Sequence, residues 1–241
     1  RMTRLSVNVN KIATLRNARG GQEPDVVQAA MRIEGFGADG ITVHPRPDAR
    51  HITYADVRAL KEVVQTEFNI EGYPSDDFVQ LVCDLRPAQV TLVPDPPDVL
   101  TSNAGWRVTG HAEMLQDVLA QFHGCGIRTS LFMETDPREI EAAAKVGAQR
   151  IELYTESYAR AHPAMGASAA APFADAARRA EQAGLGVNAG HDLNLTNLSD
   201  FASAVNPLAE VSIGHALISD ALYLGLAQAV KQYKACLAPQ P

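Results

Sequence analysis

Short apolar runs rich in β-branched residues alternate along the chain with longer stretches of helical periodicity. Eight runs are predicted strands: 5–10, 39–44, 69–73, 89–93, 128–133, 150–155, 186–191 and 210–215. Helical patterns follow them at 24–37, 53–66, 75–85, 111–124, 136–146, 170–184, 196–204 and 217–237. Parallel strands need a crossover helix between them, so this alternation predicts a parallel sheet. Eight units in 241 residues favour an α/β fold, a (β/α)8 TIM barrel forming one domain over 1–241, with an open doubly wound sheet as the alternative.

Three segments are longer than a minimal barrel needs, and each follows a predicted strand: 11–24, 94–106 and 156–169. They would rise from the carboxyl-terminal face, where barrel enzymes build their active sites. We expect extra helices after some strands, and we expect the proline-rich segment 94–106 to close over bound ligand. Capping residues support the helix starts: Thr53 with Asp56, Ser75, and Asp136 before Pro137.

Composition and charge narrow the class of protein. A net charge of −7 without a long basic run argues against nucleic-acid binding. No apolar stretch approaches the roughly 20 residues that cross a bilayer, so we expect no membrane association. The start RMTRLSVNVN lacks the apolar core of a secretory signal. Three scattered cysteines without a C-x-x-C pair indicate neither a zinc site nor a disulfide framework. We therefore expect a cytoplasmic protein with no metal.

Polar side chains collect at the predicted strand ends, on the parity that points into a barrel. They are Asn8, Asn10, Thr42, His44, Asn69, Glu71, Glu152 and Asn188, with His191 and His215 at the ends of the last two strands. One such histidine or glutamate alone is more often structural. Their convergence on one barrel mouth predicts a functional site, because histidine carries protons near neutral pH and burial raises the pKa of a glutamate.

Two positions have the chemistry of a phosphate site. The segment GITVHPRPDARHIT (40–53) offers Arg46, which can grip a phosphate bidentately, and His51 beside it. Gly214 and His215 stand at a predicted helix N-terminus, where free N–H groups bind anions. Arg19, before two glycines, is a third cation. Two separate phosphate-binding sites predict two phosphorylated substrates or one bisphosphate.

At these residues the chain closely resembles the pyridoxine 5'-phosphate synthase family, the ring-closing enzymes of the deoxyxylulose-dependent vitamin B6 pathway. The matching blocks are VNVNKIATLRNARG, GADGITVHPRPDARHIT, NIEG, VTLVPDPP, IELYT, VNAGHDLN and IGHALISDAL. The resemblance implies a transferase-class condensation of 3-amino-2-oxopropyl phosphate with 1-deoxy-D-xylulose 5-phosphate. The products are pyridoxine 5'-phosphate, inorganic phosphate and water, and no metal or organic cofactor takes part. It also implies added helices that build a homo-oligomer, an octamer in the family.

The resemblance also implies roles for individual residues. His44 is the expected base that frees the substrate amine, Glu71 the proton shuttle and His191 the proton donor for phosphate loss. Arg46 and His51 would grip the deoxyxylulose phosphate, and Gly214 and His215 the product phosphate. The remaining expected substrate-binding positions are Asn8, Asn10, Lys11, Arg19, Thr101, Glu152 and Asp192.

The chain departs from a common form of the family at a few of these positions. Asn10-Lys11 stands where that form has Asp-His, and Asp192 stands where it has glycine. Two other functions stay open from the residues alone: another phosphosugar lyase or isomerase on the same barrel, and a non-catalytic carrier of a vitamin B6 phosphate. A metal-dependent hydrolase is disfavoured, because no strand carries an H-x-H pair.

Overall fold

The computed structural model describes residues 2–95 and 104–238. Eight parallel strands close into a barrel in chain order, and the first pairs with the last. They are β1 (Arg4–Asn8), β2 (Gly40–Val43), β3 (Glu67–Gly72), β4 (Gln89–Leu92), β5 (Arg128–Met133), β6 (Arg150–Tyr154), β7 (Gly186–Gly190) and β8 (Glu210–Ile213). The predicted TIM barrel is confirmed, and the open doubly wound sheet is wrong.

Helices cover the outside of the barrel. They are α1 (Asn10–Arg19), α2 (Val26–Gly35), α3 (Tyr54–Val63), α4 (Asp76–Leu85), α5 (Ala112–Gly124), α6 (Pro137–Lys145), α7 (Glu156–Met165), α8 (Ala171–Gln182), α9 (Leu198–Ala204), α10 (His215–Leu224) and α11 (Leu226–Cys236). Within the described ranges, none of them is long and apolar enough to cross a membrane.

The extra helices predicted after some strands are α1, after β1, and α7, after β6. Two predicted boundaries are wrong. Strand one does not reach residue 10, because Val9 leaves the extended conformation and Asn10 begins α1. The single helix predicted at 217–237 is two helices, because Gly225 adopts φ 77° and ψ 152° between them.

The predicted helix caps are confirmed. The Thr53 hydroxyl accepts the Asp56 N–H, and the Asp56 carboxylate accepts the Thr53 N–H at 2.8 Å, which completes a capping box. Ser75 caps α4 and Asp136 caps α6. These caps fix where each helix leaves its loop, and therefore fix the paths of the loops at the barrel mouth.

The two faces of the strands differ in chemistry. Side chains facing the helices are apolar and fully buried, as Val7, Ile41 and Ile70 illustrate. Burying each such side chain contributes roughly 1.5–3 kcal/mol. The opposite parity points into the barrel and is polar and buried: Ser6, Thr42, Asn69, Gln89, Thr91, Ser130, Glu152, Asn188, Glu210 and Ser212. The hydrophobic core is therefore the shell between strands and helices, and the centre of the barrel is hydrophilic.

Charged side chains fill the amino-terminal end of the barrel. Arg4 pairs with Glu67 at 2.5 Å, Arg128 pairs with the same carboxylate, and Arg150 Nη1 lies 3.9 Å from Glu210 Oε2. These five residues, which we call the basal network, are each the first residue of a strand. Opposite charges in contact satisfy one another, so this partly exposed network closes the end of the barrel opposite the mouth.

Candidate active site

The loop after β2 carries a buried cluster of two histidines and an arginine. His44 follows β2 directly, and Arg46 and His51 are 6 % and 9 % exposed. Helix α1 braces this loop from outside. Arg16 pairs with Asp56 at 2.6 Å, at the start of α3. The Asn17 amide, also on α1, donates to the His51 carbonyl at 3.0 Å.

The hydrogen bonding of His51 defines its tautomer. The Ile52 N–H donates to His51 Nδ1 at 2.9 Å, so Nδ1 is an acceptor. Burial and the charge of Arg46 lower the pKa of His51 to about 4. The ring is therefore neutral at pH 7 and carries its proton on Nε2. His51 can donate one hydrogen bond to an anion from that atom.

His44 and Glu71 form a close acid–base pair at the mouth. His44 Nδ1 lies 3.9 Å from Glu71 Oε2, and both side chains are buried. Burial, with the charge of Arg46, lowers the pKa of His44 well below its ordinary 6.5. Burial raises the pKa of Glu71 to about 7, against the opposing charge of Arg46. A neutral imidazole therefore faces a carboxyl group that both gives and accepts protons near neutral pH.

Asn10 holds His44 in place. Its side-chain oxygen accepts the His44 N–H at 2.9 Å, which ties the start of α1 to the end of β2. Asn8 in turn accepts the Asn10 N–H at 2.9 Å. Asn10 therefore has a positioning contact at the place where we predicted a substrate contact.

Glu152 lies deeper in the barrel and is 2 % exposed. Burial, together with nearby Glu71 and Glu210, raises the pKa of Glu152 well above 4.5. Its carboxyl group rests against Gly190 on β7, where an added Cβ would lie 2.5 Å from Glu152 Oε1. Gly190 is therefore required for this position of a neutral carboxylic acid, which can donate a hydrogen bond.

His191 follows β7 in a left-handed conformation, with φ 79°. Its ring packs against Phe132 and Tyr154, with centroids 5.0 Å and 5.3 Å away. The Thr155 hydroxyl donates to the His191 carbonyl and to the Gly190 carbonyl, which fixes the strained backbone. Burial lowers the pKa of His191 below 6.5. Its Nδ1 is buried and finds no hydrogen-bond partner within 2–95 and 104–238, so the ring has a polar atom that these residues do not use.

The ends of β8 and β1 meet at the start of α10. A Cβ on Gly214 would lie 3.0 Å from the Asn8 Cβ, so a larger residue here would press against Asn8. His215 is the first residue of α10, and no side chain in the described part of the protein caps this helix. Its first N–H groups therefore remain available to an anion.

The other predicted site residues lie at the edge of this cluster or outside it. The charge of Lys11, an exposed residue of α1, bears on His51. Arg19 ends α1 and is exposed, and no contact among the described residues ties it to the others. Asp192 is exposed and has φ 60°. Thr101 and most of the segment predicted to close over ligand lie outside the described residues.

Several residues of the site were missed from the sequence. The basal network was detectable, because each member begins a strand on the inward parity, but only the strand ends were considered. The bracing residues Arg16, Asn17 and Thr155 carry no local signal, since their partners are distant in sequence. Among the described residues, no three His, Cys, Asp or Glu side chains form a metal-binding group.

Comparisons with known proteins agree over nearly the whole chain. The family model of the pyridoxal phosphate biosynthesis protein PdxJ matches residues 5–239. The chain is 59 % identical over 236 residues to a pyridoxine 5'-phosphate synthase of Bacteroides thetaiotaomicron, covering 98 % of this chain and 100 % of the relative. It is 60 % identical over 237 residues to a protein of the same description in Porphyromonas gingivalis, with coverages of 98 % and 100 %.

Solved structures with the same architecture are distant in sequence. A tryptophan synthase chain of Mycobacterium tuberculosis superposes with a TM-score of 0.69 at 14 % identity, covering 99 % of this chain and 94 % of that one. Thiamine phosphate pyrophosphorylase of Pyrococcus furiosus gives 0.61 at 12 % identity, with coverages of 98 % and 95 %. At such identities the likeness shows the barrel fold alone.

Proposed function

The chain belongs to the family of the pyridoxal phosphate biosynthesis protein PdxJ, and from this membership we propose how its residues divide the work of catalysis. The activity is pyridoxine 5'-phosphate synthesis: 3-amino-2-oxopropyl phosphate and 1-deoxy-D-xylulose 5-phosphate condense, and inorganic phosphate and water are released. One observation carries the assignment of roles. A neutral histidine, His44, faces the Glu71 carboxyl group at 3.9 Å, beside the buried cation Arg46.

The two phosphates bind at separate positions around the mouth in this proposal, one after β2 and one after β8. Arg46 grips the deoxyxylulose phosphate with its planar guanidinium, and neutral His51 adds one hydrogen bond from Nε2. Gly214 and His215 bind the phosphate of the aminoketone, and later of the product, through the uncapped start of α10. Asn8, next to Gly214, contacts the same substrate. Substrates held at both ends meet over His44 and Glu71.

Proton transfer begins at His44. The neutral imidazole takes a proton from the substrate ammonium, and the free amine attacks the ketone of the deoxyxylulose phosphate. Glu71 then supplies and removes protons during dehydration and ring closure, which its pKa of about 7 suits at neutral pH. Asn10 holds the backbone of His44 in place during these steps.

Phosphate loss uses His191 and Glu152. The negative charge of a leaving phosphate favours the protonated imidazole, which opposes the effect of burial on the pKa of His191. His191 then donates its proton to the departing group. Glu152, kept neutral by burial, donates a hydrogen bond to oxygen atoms that gain negative charge.

The experiment is turnover by the purified protein. Pyridoxine 5'-phosphate and inorganic phosphate are measured with both substrates present and with each omitted. We expect both products in equal amounts, and only in the complete mixture. Phosphate release from one substrate alone would favour a lyase, and binding of product without turnover would favour a carrier.

We also propose that the chain assembles into a homo-oligomer, an octamer as the family resemblance implies. Leu222 and Tyr223, at the end of α10, are 73 % and 91 % exposed, and exposed apolar groups of this kind mark interfaces. Sedimentation velocity tests this: the double change Leu222→Glu with Tyr223→Glu should reduce the assembly size. Lys231→Glu, on an exposed position of α11, is the matched control. An unchanged sedimentation coefficient in the double variant would place the interface elsewhere.

A further inference from the structure

Asp95 is a buried acid at the mouth that the roles above do not use. It follows β4 on the same parity as the inward-facing Gln89 and Thr91. The strand pairing continues towards it, because the Val93 N–H donates to the Gly72 carbonyl at 3.0 Å. Asp95 is 7 % exposed. Its Oδ2 atom is fully enclosed and has no hydrogen-bond partner among the residues that the structure describes.

Asp95 lies beside residues that we propose to bind or act on the substrates. Asp95 lines one cleft together with His44, Arg46 and Tyr73. Its negative charge acts on both Arg46 and His191. The carboxylate therefore lies at the mouth, within electrostatic reach of residues that follow β2 and β7.

A buried carboxylate oxygen without a partner costs free energy until a donor reaches it. The phosphates of both substrates are anions and are repelled by this carboxylate. The ammonium of the aminoketone is the one cationic group that the two substrates bring. Burial raises the pKa of both Glu71 and Glu152, so those carboxyl groups are poorer counter-ions at neutral pH.

We propose that Asp95 binds the ammonium group of 3-amino-2-oxopropyl phosphate and selects this substrate over phosphates of the same shape that carry a hydroxyl. Asp95 is thus a specificity-determining residue, which holds the nitrogen beside His44 before its proton is removed. This inference rests on the proposed function of the site.

The test compares two variants that remove the same charge. Asp95→Asn removes the buried carboxylate. Asp48→Asn is the control, because Asp48 also acts on Arg46 but is an exposed side chain paired with Arg50. For each protein, KM is measured for both substrates. The inhibition constant of dihydroxyacetone phosphate, in which a hydroxyl replaces the amine, is measured as well.

We expect Asp95→Asn to raise KM for the aminoketone about 10-fold to 100-fold, as the loss of a charge-assisted hydrogen bond does. KM for the deoxyxylulose phosphate and inhibition by dihydroxyacetone phosphate should stay within about twofold of the wild type. Asp48→Asn should resemble the wild type. Asp95→Glu, which keeps the charge, should restore part of the affinity and guards against a folding defect.

The opposite pattern overturns the proposal. If Asp95→Asn weakens the deoxyxylulose phosphate equally, Asp95 is a counter-ion of Arg46. If the variant weakens binding of dihydroxyacetone phosphate as much as binding of the aminoketone, the carboxylate does not recognise the amine. Wild-type turnover separates this result from the proposed function, because a wild-type protein that makes no pyridoxine 5'-phosphate contradicts the latter.

Discussion

Replacing Glu71 by glutamine should weaken catalysis and strengthen the fold at the same time. The amide keeps the size of the carboxyl group but cannot shuttle protons, so kcat should fall at least 100-fold, in line with general acid–base groups. In the wild type, burial raises the pKa of Glu71 from 4.5 to about 7. Ionisation of this group therefore opposes folding at neutral pH, and the variant is relieved of that cost.

The size and sign of the stability change follow from the pKa difference. Between pH 4.5 and 7 the unfolded chain has lost the proton of Glu71 while the folded chain keeps it, so wild-type stability falls as pH rises. A difference from 4.5 to about 7 corresponds to about 3 kcal/mol in the free energy of unfolding. Glu71→Gln should match the wild type near pH 4 and exceed its stability by up to that amount at pH 8.

Urea unfolding at several pH values measures this difference. Glu141→Gln, an exposed change on α6, is the control and should show no pH-dependent gain. A gain in Glu71→Gln that is equal at pH 4 and pH 8 would show that the carboxyl group does not titrate with a raised pKa. A near-wild-type kcat would show that Glu71 is structural.

Four further outcomes test the division of roles and the expectation of catalysis without metal. Arg46→Lys keeps the charge but loses the two-pronged donor, so it should mainly raise KM for the deoxyxylulose phosphate. The expected rise corresponds to a loss of about 1–3 kcal/mol of binding free energy. His44→Asn should instead lower kcat far more than it raises KM; the reverse pattern in steady-state kinetics would invert these two roles. Gly190→Ala places a Cβ 2.5 Å from Glu152 Oε1, so kcat should fall while circular dichroism stays native, and full activity would show that Glu152 is not used. Turnover should survive exhaustive treatment with EDTA, and loss of activity that one divalent ion restores would contradict acid–base catalysis without metal.

The barrel was predictable because its strands repeat one simple pattern. Apolar residues on alternate positions face the helices, and this period of two locates all eight strands to within two residues or so. The same parity places Glu71 and Glu152 inside the barrel. Sequence patterns therefore suffice where the structure repeats a local rule.

The failures occur where local patterns are silent about conformation or partners. Gly225 stands in an apolar, helix-like stretch, and nothing in that stretch shows that its backbone turns to positive φ. His191 likewise adopts a left-handed conformation that a histidine rarely takes, and it depends on Thr155, which directly follows the neighbouring strand β6. The basal network pairs residues that are distant in sequence, such as Arg4 with Glu67, which are 63 positions apart.

The hydrophilic centre of the barrel has a consequence for how such an enzyme can be altered. Most of the stabilisation from apolar burial lies in the shell between strands and helices. Substitutions inside the barrel therefore mostly exchange one polar partner for another. Buried ion pairs can often be replaced by well-packed apolar side chains without loss of stability. The charged side chains of the basal network could thus be replaced by packed apolar ones while the outer hydrophobic shell stays unchanged. Glu210 marks the boundary of that freedom, since its charge raises the pKa of both Glu71 and Glu152. Substitutions at Glu210 would change the pKa values of the acidic residues at the mouth without altering a substrate contact.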